Sequence, residues 1–397
     1  MSIDIKSLKE LDWEFIATDT RYCTHNFHRY SSKFIPQIAE RLITTFSKTG
    51  NLVLDVFCGS GTTLVEAKLH GRNSWGVDIN PIACLVSEVK TTNISDDILD
   101  TKIRPFLREI NKVILDFRTL TKRKQPTLLE NQIEVEMPSF VYIDKWFQPQ
   151  VLRELSIIKE MVNREKNAEI KKFLVCGFSE ILRSVSNASS RYGNLMVDKN
   201  KQFIDRVFER FERQVKIMID GMKEFNRKAD RNCFARISFG DSRNLNFVES
   251  DFVDLIVTHP PYVSAVPYAE YQKLSLNWLR ECFSDLFPKE SIEYLEPRKL
   301  DRNIIGGMRR KDDVVDRFMM DMELVCKEMF RVLKRGGFCG IVIGHPTVRG
   351  KIVELDKQLI KFCQDEGFHF IEEITRGKYQ TTMGKMKQEY ILILRKP

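Results

Sequence analysis

The sequence predicts an α/β fold with a mostly parallel sheet, interrupted by a long and largely helical insertion. Short apolar strands alternate with helix-periodic segments in residues 50–92, and the same alternation resumes at residue 234. This alternation favours a parallel sheet that helices cover on both faces. The insertion is predicted because residues 97–232 are charged and mostly helix-periodic.

The first α/β unit contains a glycine turn between its first strand and the helix that follows. Gly59 and Gly61 stand at this turn, after a continuous apolar run and before a helix-periodic segment. The predicted elements are helix Gln37–Phe46, strand Leu52–Phe57, helix Thr62–His70, strand Ser74–Val77 and a helix that starts at Pro81 and continues over Ile82–Val89.

The middle region divides the chain into a catalytic domain of residues 1–96 and 233–397 and a helical insertion of residues 97–232. The insertion holds 27 Lys/Arg against 20 Asp/Glu, so it carries +7 of the chain's net charge of +8. Ser184–Asn194 is rich in serine and asparagine and is predicted to be an exposed polar loop. Helices are predicted at Val151–Met161, Ile170–Leu182 and Phe203–Phe225.

The C-terminal part completes the predicted sheet. Its last two strands follow each other without a helix between them, which predicts an antiparallel edge strand. The strands are predicted at Phe234–Phe239, Phe252–Val257, Phe338–Ile343, Phe368–Thr375 and Glu389–Leu394. The helices are predicted at Asp312–Leu333, capped by Gly336 and Gly337, and at Val353–Gln364.

Composition excludes several classes of protein. No run approaches the roughly 20 apolar residues of a membrane span, and the first residues are too polar for a signal peptide. We therefore expect a cytoplasmic protein, nucleoid-associated if its source is bacterial. The nine cysteines form no C-x-x-C pair, so no metal site is predicted and free thiols are expected. The basic excess allows a polyanionic partner without requiring one.

The glycine turn has the properties of a cofactor site. Gly59 and Gly61 let a ligand approach the backbone closely, next to the N–H groups at the start of a helix. Asp55 lies within the apolar strand, where a carboxylate needs a partner. Asp78 ends the next strand, where an acidic side chain can accept hydrogen bonds from ribose hydroxyls. Thr62 occupies the position at which a third glycine would favour a dinucleotide cofactor.

Thr258-His259-Pro260-Pro261-Tyr262 follows another apolar strand and suits chemistry on an aromatic amine. The amine of a base is a poor nucleophile, because its lone pair is delocalised into the ring. Methylation needs acceptors for the amine protons and an electrophile held in line. The prolines of this segment lack an N–H and have a fixed φ. The neutral imidazole nitrogen of its histidine can accept a hydrogen bond, and the ring of its tyrosine can stack on a flipped base.

These segments together resemble the S-adenosylmethionine-dependent DNA amino-methyltransferases. Asp55-x-Phe57-x-Gly59-x-Gly61-Thr62-Thr63 resembles their motif I, and 28–36 resembles motif X. Asp241 resembles the acid of motif III, although Gly-Asp-Ser is also a common turn sequence. Residues 258–262 resemble motif IV, with histidine in place of the usual Asp, Asn or Ser. The resemblance implies a Rossmann-like methyltransferase fold.

The resemblance implies specific roles for residues of this chain. The implied cofactor is S-adenosylmethionine, and the implied substrate is double-stranded DNA with one base flipped out. The residues expected to bind the cofactor are Tyr30, Lys33, Phe34, Asp55, Phe57, Gly59, Gly61, Thr62, Thr63, Asp78, Asn80 and Asp241. The residues expected to act in catalysis are His259, Pro260, Pro261 and Tyr262. The residues expected to contact DNA are Arg191, Arg309, Arg310 and Lys311.

The resemblance also bears on the target base and the biological setting. The motif order X, I, insertion, III, IV leaves residues 97–232 for target recognition, and a helical cap whose charges are solvated is the alternative. Thr258 before the motif favours N4 of cytosine over N6 of adenine. Site-specific methylation of this kind implies a restriction-modification role, with a cognate endonuclease as a possible partner.

Other functions stay open at this point. An RNA base N-methyltransferase is one alternative, because some tRNA enzymes share an Asn-Pro-Pro-Tyr variant of motif IV. Those enzymes usually carry an N-terminal RNA-binding domain, and only about 50 residues precede motif I here. A nucleic-acid-binding protein with a degenerate site is a second alternative, because His259 departs from the usual motif. A dinucleotide-dependent dehydrogenase is a third.

Overall fold

The computed structural model describes residues 5–33, 35–122, 135–189, 195–263, 267–307, 313–348, 351–377, 380–381, 384–385 and 388–397. A seven-stranded sheet lies at its centre. Its strands are β1 Leu52–Asp55, β2 Asn73–Asp78, β3 Ala235–Phe239, β4 Val253–Thr258, β5 Leu333–Gly344, β6 His369–Arg376 and β7 Glu389–Arg395. Two short hairpins, Thr347–Val348 with Lys351–Ile352 and Gln380–Thr381 with Gly384–Lys385, lie outside this sheet.

The strand order is β3-β2-β1-β4-β5-β7-β6. Strands β1 to β5 are mutually parallel, whereas β7 is antiparallel to both β5 and β6. The predicted α/β class with a mostly parallel sheet is therefore confirmed. The antiparallel strand is next to the edge, because β6 pairs with the outer side of β7.

The helices surround this sheet and fill the middle of the sequence. They are α1 Ile5–Glu10, α2 Pro36–Phe46, α3 Thr62–Leu69, α4 Pro81–Thr91, α5 Asp96–Ile98, α6 Arg104–Lys122, α7 Ile143–Trp146, α8 Pro149–Arg164, α9 Ala168–Leu182, α10 Val207–Lys228, α11 Tyr268–Tyr271, α12 Lys273–Cys282, α13 Pro297–Asn303, α14 Val314–Val332 and α15 Asp356–Asp365. A π-helical turn, Leu99–Ile103, joins α5 to α6, and 3-10 turns occupy Cys23–Asn26, Ser284–Leu286 and Lys289–Leu295.

Helices cover both faces of the sheet, which explains why its central strands are largely apolar. Val53 of β1 packs in the core formed with α2, whereas the next residue, Leu54, packs in the core formed with α14 and α15. Successive strand residues point to opposite faces, so a strand covered twice has no position for solvent-exposed polar residues.

The helical insertion shares a continuous core with the N-terminal α/β unit. Helix α9 packs against α4, and α10 packs against the 3-10 turn Cys23–Asn26. Gln214 on α10 donates a hydrogen bond to the Phe27 carbonyl at 2.8 Å. The division of the chain into a catalytic domain and an insertion stays a prediction, and this contact surface fixes where the insertion lies.

Two local expectations were wrong. The described part of the expected exposed loop, residues 184–189, is largely buried, since Asn187 donates its backbone N–H to the Trp146 carbonyl and Ala188 pairs with Val197. Gly336 and Gly337 do not cap a helix. They lie inside β5, where a register shift lets Gly336 pair with the Lys396 backbone.

The helices found in the described ranges all lack the combination of length and apolar character that crossing a membrane requires.

Candidate active site

The sheet order creates a crevice at one defined place. Strand β1 has β2 on one side and β4 on the other, so the winding direction of the sheet reverses at β1. Ligands of open α/β sheets bind at the carboxyl ends of the strands beside such a reversal. Asp78 ends β2, Thr258 ends β4, and Asp55 ends β1.

The turn after β1 requires glycine at two positions. Gly59 and Gly61 have φ values of +49° and +76°. A Cβ on Gly61 would lie 2.9 Å from the Ser87 hydroxyl oxygen and 3.1 Å from the Ser87 Cα atom. Ser87 in turn donates a hydrogen bond to the Gly59 carbonyl at 2.8 Å. The turn is therefore held tightly against helix α4.

We expect Gly61→Ala to lower the free energy of unfolding by roughly 2–5 kcal/mol. About 1–2 kcal/mol comes from the left-handed backbone and about 1–3 kcal/mol from overlap with Ser87. Gly50→Ala is the matched control, since Gly50 has φ +83° and open space around it. Urea denaturation of both variants separates the two contributions. Equal losses in the two variants would contradict the steric argument.

Asp78 joins the glycine turn to the start of α4. Its Oδ2 accepts the Gly59 backbone N–H at 2.8 Å, and its Oδ1 accepts the Asn80 backbone N–H at 2.9 Å. Burial raises the pKa of Asp78 to about 6. Asn80 caps α4 through the Ile82 N–H and donates its amide to Tyr30 Oη at 3.2 Å. These bonds hold segment 30–33 against the glycine turn.

Asp55 has the partner that a buried carboxylate requires. Its Oδ1 accepts the Thr258 hydroxyl at 2.7 Å and the Phe57 backbone N–H at 3.0 Å. The side chain is 1% exposed, and burial raises its pKa to about 6. Asp55 therefore connects the end of β1 to the end of β4 by a hydrogen bond next to the crevice.

A cleft lies at these strand ends, with a volume of about 740 Å³ that includes open solvent. It brings together ten of the residues predicted from sequence: Tyr30, Lys33, Phe57, Gly59, Thr62, Asp78, Asn80, Asp241, His259 and Pro261. Asp55, Gly61, Thr63, Pro260 and Tyr262 adjoin these residues in sequence but do not line the cleft. Phe34, Arg191, Arg309, Arg310 and Lys311 lie outside the described residues.

Asp241 lines the cleft and also closes a turn. Its carboxylate accepts the Arg243 backbone N–H at 3.0 Å and pairs with the Arg243 guanidinium at 2.5 Å. Arg243 also contacts Asp321 on α14 at 2.8 Å. Both interpretations of Gly-Asp-Ser are therefore compatible with its position, and a ligand would meet a carboxylate whose charge is partly balanced.

His259 and Tyr262 are joined to each other at the cleft wall. His259 Nε2 lies 2.8 Å from Tyr262 Oη, and the two rings meet edge to face. Tyr262 is buried, and its hydroxyl donates to Glu389 at 3.0 Å. Burial lowers the pKa of His259, so its imidazole is neutral near pH 7. Stacking of Tyr262 on a base stays a prediction, because its ring faces protein in this structure.

Several residues that line the cleft were not predicted as site residues. They are Ser31, Ser32, Cys58, Ser60, Ile79, Ser242, Tyr268, Asn303, Ile304 and Ile305. Ser32 adopts φ +60°, which is rare outside glycine and concentrates at functional sites. Tyr268 could have been found from sequence, because a segment with Tyr268, Tyr271 and Trp278 follows the two prolines. Asn303–Ile305 reach the cleft only through the tertiary fold.

A protein-family model and several known proteins that are similar to this chain point to the same family. The family model N6_N4_Mtase, described as DNA methylase, matches residues 6–88, which contain the glycine turn and Asp78. Type II methyltransferase M.MvaI of Kocuria varians is 26% identical over 373 residues, covering 84% of this chain and 80% of that protein. M.MjaII of Methanocaldococcus jannaschii is 24% identical over 344 residues, covering 66% of this chain and 64% of that protein.

A third relative extends over more of the chain. Type II methyltransferase M.BsoBI of Geobacillus stearothermophilus is 21% identical over 427 aligned positions, covering 91% of this chain and 82% of that protein. The family model and these relatives support the S-adenosylmethionine-dependent DNA amino-methyltransferases as the family that this chain resembles.

Proposed function

We propose that this protein transfers a methyl group from S-adenosylmethionine to the exocyclic amine of a base in double-stranded DNA. The observation that supports this most strongly is the cleft at the strand ends. It collects segment 30–33, the glycine turn, Asp78 and the His259-Pro-Pro segment, which are separated by up to about 230 residues in the sequence. Because the relatives are named type II methyltransferases, we extend a restriction-modification role, with a cognate endonuclease, to this chain.

The cleft has hydrogen-bond acceptors for the cofactor. Each Asp78 oxygen accepts one backbone N–H and keeps a further lone pair that can accept from a ribose hydroxyl. Gly59 has no side chain to block close approach. When bound, S-adenosylmethionine supplies the electrophilic methyl group.

The His-Pro-Pro segment would receive the base. It follows β4 directly, so the position of its backbone is set by a buried strand and by the bond between Asp55 and Thr258. His259 and Pro261 line the same cleft as Asp78. Acceptors on this segment would hold the amine and its protons, which lets the amine lone pair point at the electrophile. We propose these residues as the catalytic group.

We further propose N4 of cytosine as the methylated position, in preference to N6 of adenine. The support is Thr258 before the Pro-Pro motif, which matches the Thr-Ser-Pro-Pro-Tyr form of the N4-cytosine enzymes. In the structure this threonine also has a structural role, because its hydroxyl donates a hydrogen bond to Asp55.

We expect the affinity for S-adenosylmethionine to rise as the pH increases through about 6. Asp78 has its pKa raised to about 6, so the carboxylate is protonated below this pH and loses acceptor capacity toward ribose. Affinity should therefore be low at pH 5 and level off above pH 7. Calorimetric titration across this range measures it. A step that persists unchanged in Asp78→Asn would contradict the assignment.

The insertion, residues 97–232, is our proposed DNA-recognition region, and its +7 charge supports contact with phosphates. Arg191, Arg309, Arg310 and Lys311 remain proposed DNA contacts. We expect the triple change Arg309→Ala, Arg310→Ala and Lys311→Ala to weaken DNA binding and to reduce the salt-dependence slope by roughly 1–3. Fluorescence anisotropy at several salt concentrations measures both quantities. An unchanged slope would exclude phosphate contacts by these residues.

The polymer on which the enzyme acts is tested by offering tritiated S-adenosylmethionine with double-stranded DNA or with unmodified tRNA. We expect label in the DNA alone. Label in tRNA alone would favour an RNA base methyltransferase. Cofactor binding without label in either polymer, over DNA of many sequences, would favour a degenerate nucleic-acid-binding protein.

A further inference from the structure

Three side chains of types that bind metal ions meet between helices α2 and α3. Glu40 is on α2, Glu66 is on α3, and His70 directly follows the last residue of α3. One ligand atom from each side chain lies within 4.8 Å of the other two. None of the three residues lines the cleft, so this cluster is separate from the proposed cofactor and base sites.

The helices bring these side chains together. Glu66 and His70 are four residues apart, so they lie on one face of the helix and one turn from each other. Helix α2 packs against α3 and supplies Glu40. The set contains no cysteine, so the absence of a C-x-x-C pair from the sequence does not bear on it. Helix packing, and not a local motif, places Glu40 beside the other two residues.

The distances in this cluster fit ligands around one ion better than they fit hydrogen bonds. His70 Nε2 lies 3.5 Å from Glu66 Oε2 and 3.6 Å from Glu40 Oε1. A direct N–H···O hydrogen bond requires about 2.7–3.2 Å. Two ligands of a tetrahedral zinc ion, each bound at about 2.0–2.2 Å, lie about 3.3–3.6 Å apart. Glu40 is partly exposed, so a small side-chain rotation can bring its oxygen nearer to that of Glu66.

The Glu66 carboxylate is buried and held in a fixed orientation. It is 1% exposed, and its Oε1 accepts from the Tyr22 hydroxyl and contacts His25 Nε2, both at 2.7 Å. Metal-binding carboxylates are commonly oriented by such outer hydrogen bonds. Within the described ranges, neither Glu40 nor Glu66 forms an ion pair with a lysine or an arginine. A buried carboxylate needs a compensating charge, and a bound cation would supply it.

We propose that Glu40, Glu66 and His70 bind a divalent transition-metal ion, with Zn²⁺ as the expected ion. One imidazole nitrogen and two carboxylate oxygens form a donor set that suits Zn²⁺. Mg²⁺ and Ca²⁺ instead favour six or more ligands that are oxygen atoms. Water would complete the usual four ligands of a bound zinc ion. The site is structural, since it lies outside the cleft.

An ion at this place would link three N-terminal parts of the chain. It would connect α2 to α3, the helix that begins at the glycine turn. Through Glu66 it would also connect to Tyr22 and His25, which precede segment 30–33. A ligand that binds only the folded state stabilises that state. We therefore expect Zn²⁺ at about 100 times its Kd to raise Tm by roughly 2–6 °C.

The test uses the full chain and Zn²⁺ alone, after removal of bound metal by a chelator and with a thiol-free reductant. Titration calorimetry should show one ion per chain, and scanning calorimetry should show the rise in Tm. We expect Glu40→Gln and His70→Gln each to lower the affinity for Zn²⁺ by at least about 10-fold. Both side chains are partly exposed, so both variants should fold. His369→Gln changes an exposed histidine elsewhere and, as the matched control, should bind Zn²⁺ as wild type does.

Co²⁺ in place of Zn²⁺ distinguishes this site from the nine cysteine thiols. We expect the visible absorption of tetrahedral nitrogen and oxygen ligation, without the near-ultraviolet band of thiolate ligands. A thiolate band would overturn the proposal. So would the absence of Zn²⁺ binding by wild type, or equal affinity in wild type, Glu40→Gln and His70→Gln. The test needs neither DNA nor S-adenosylmethionine, so its failure would leave the proposed function standing, and a failure of methyl transfer would leave this proposal standing.

Discussion

Asp78→Asn is expected to weaken S-adenosylmethionine binding roughly 10- to 150-fold. The substitution removes the charge that strengthens bonds from ribose hydroxyls, each worth about 1.5–3 kcal/mol when charge-assisted. It also leaves one side-chain oxygen where two now accept the Gly59 and Asn80 backbone N–H groups. Calorimetry at about pH 7.5, where the wild-type carboxylate is ionised, measures the loss. Asp78→Ala, which removes both anchors, should bind more weakly still.

The control for this experiment is Glu249→Gln, which neutralises an exposed carboxylate remote from the cleft. It should bind the cofactor as wild type does. Circular dichroism and urea unfolding of all variants establish that the fold persists. Wild-type affinity in a folded Asp78→Ala variant would rule out Asp78 as a cofactor ligand.

His259→Ala is expected to lower kcat for methyl transfer by on the order of 10²- to 10⁴-fold, the range that a positioned proton-accepting or proton-donating group contributes. Cofactor affinity should change by about twofold at most, because the glycine turn and Asp78 remain in place. Single-turnover assays with labelled cofactor give the rate, and calorimetry gives the affinity.

His369→Ala is the matched control, since His369 is exposed on β6 outside the cleft. Unchanged methyl transfer in His259→Ala would show that the side chain plays no part in the reaction. If cofactor affinity fell by the same factor as the rate, His259 would be assigned to cofactor binding and not to catalysis.

Each part of the site that was predictable from sequence is encoded by a short local pattern. The glycine turn, Asp78 after β2 and the prolines after β4 each stand where a strand ends, and parallel strands bring such ends to one edge of the sheet. Hydrophobic patterning located these strand ends, and the resemblance of the segments to methyltransferase motifs predicted that they share one site.

The remaining features depend on contacts between distant segments. The partner of Asp55 is Thr258, about 200 residues away, and no local pattern identifies it. Glu389 contacts Tyr262 and Arg376 only because β7 inserts between β5 and β6. The polar residues 184–189 appear exposed by composition, yet backbone bonds to the Trp146 region bury them. Strand order and packing, which local periodicity does not encode, decide each of these cases.

The central claim is tested most directly by identifying the methylated nucleoside. Purified protein is incubated with isotopically labelled S-adenosylmethionine and unmethylated double-stranded DNA of diverse sequence, and the DNA is digested to nucleosides for mass spectrometry. We predict labelled N4-methylcytosine. Labelled N6-methyladenine would retain the amino-methyltransferase mechanism and correct the base. Labelled C5-methylcytosine, or no labelled nucleoside while the cofactor is bound, would contradict the account.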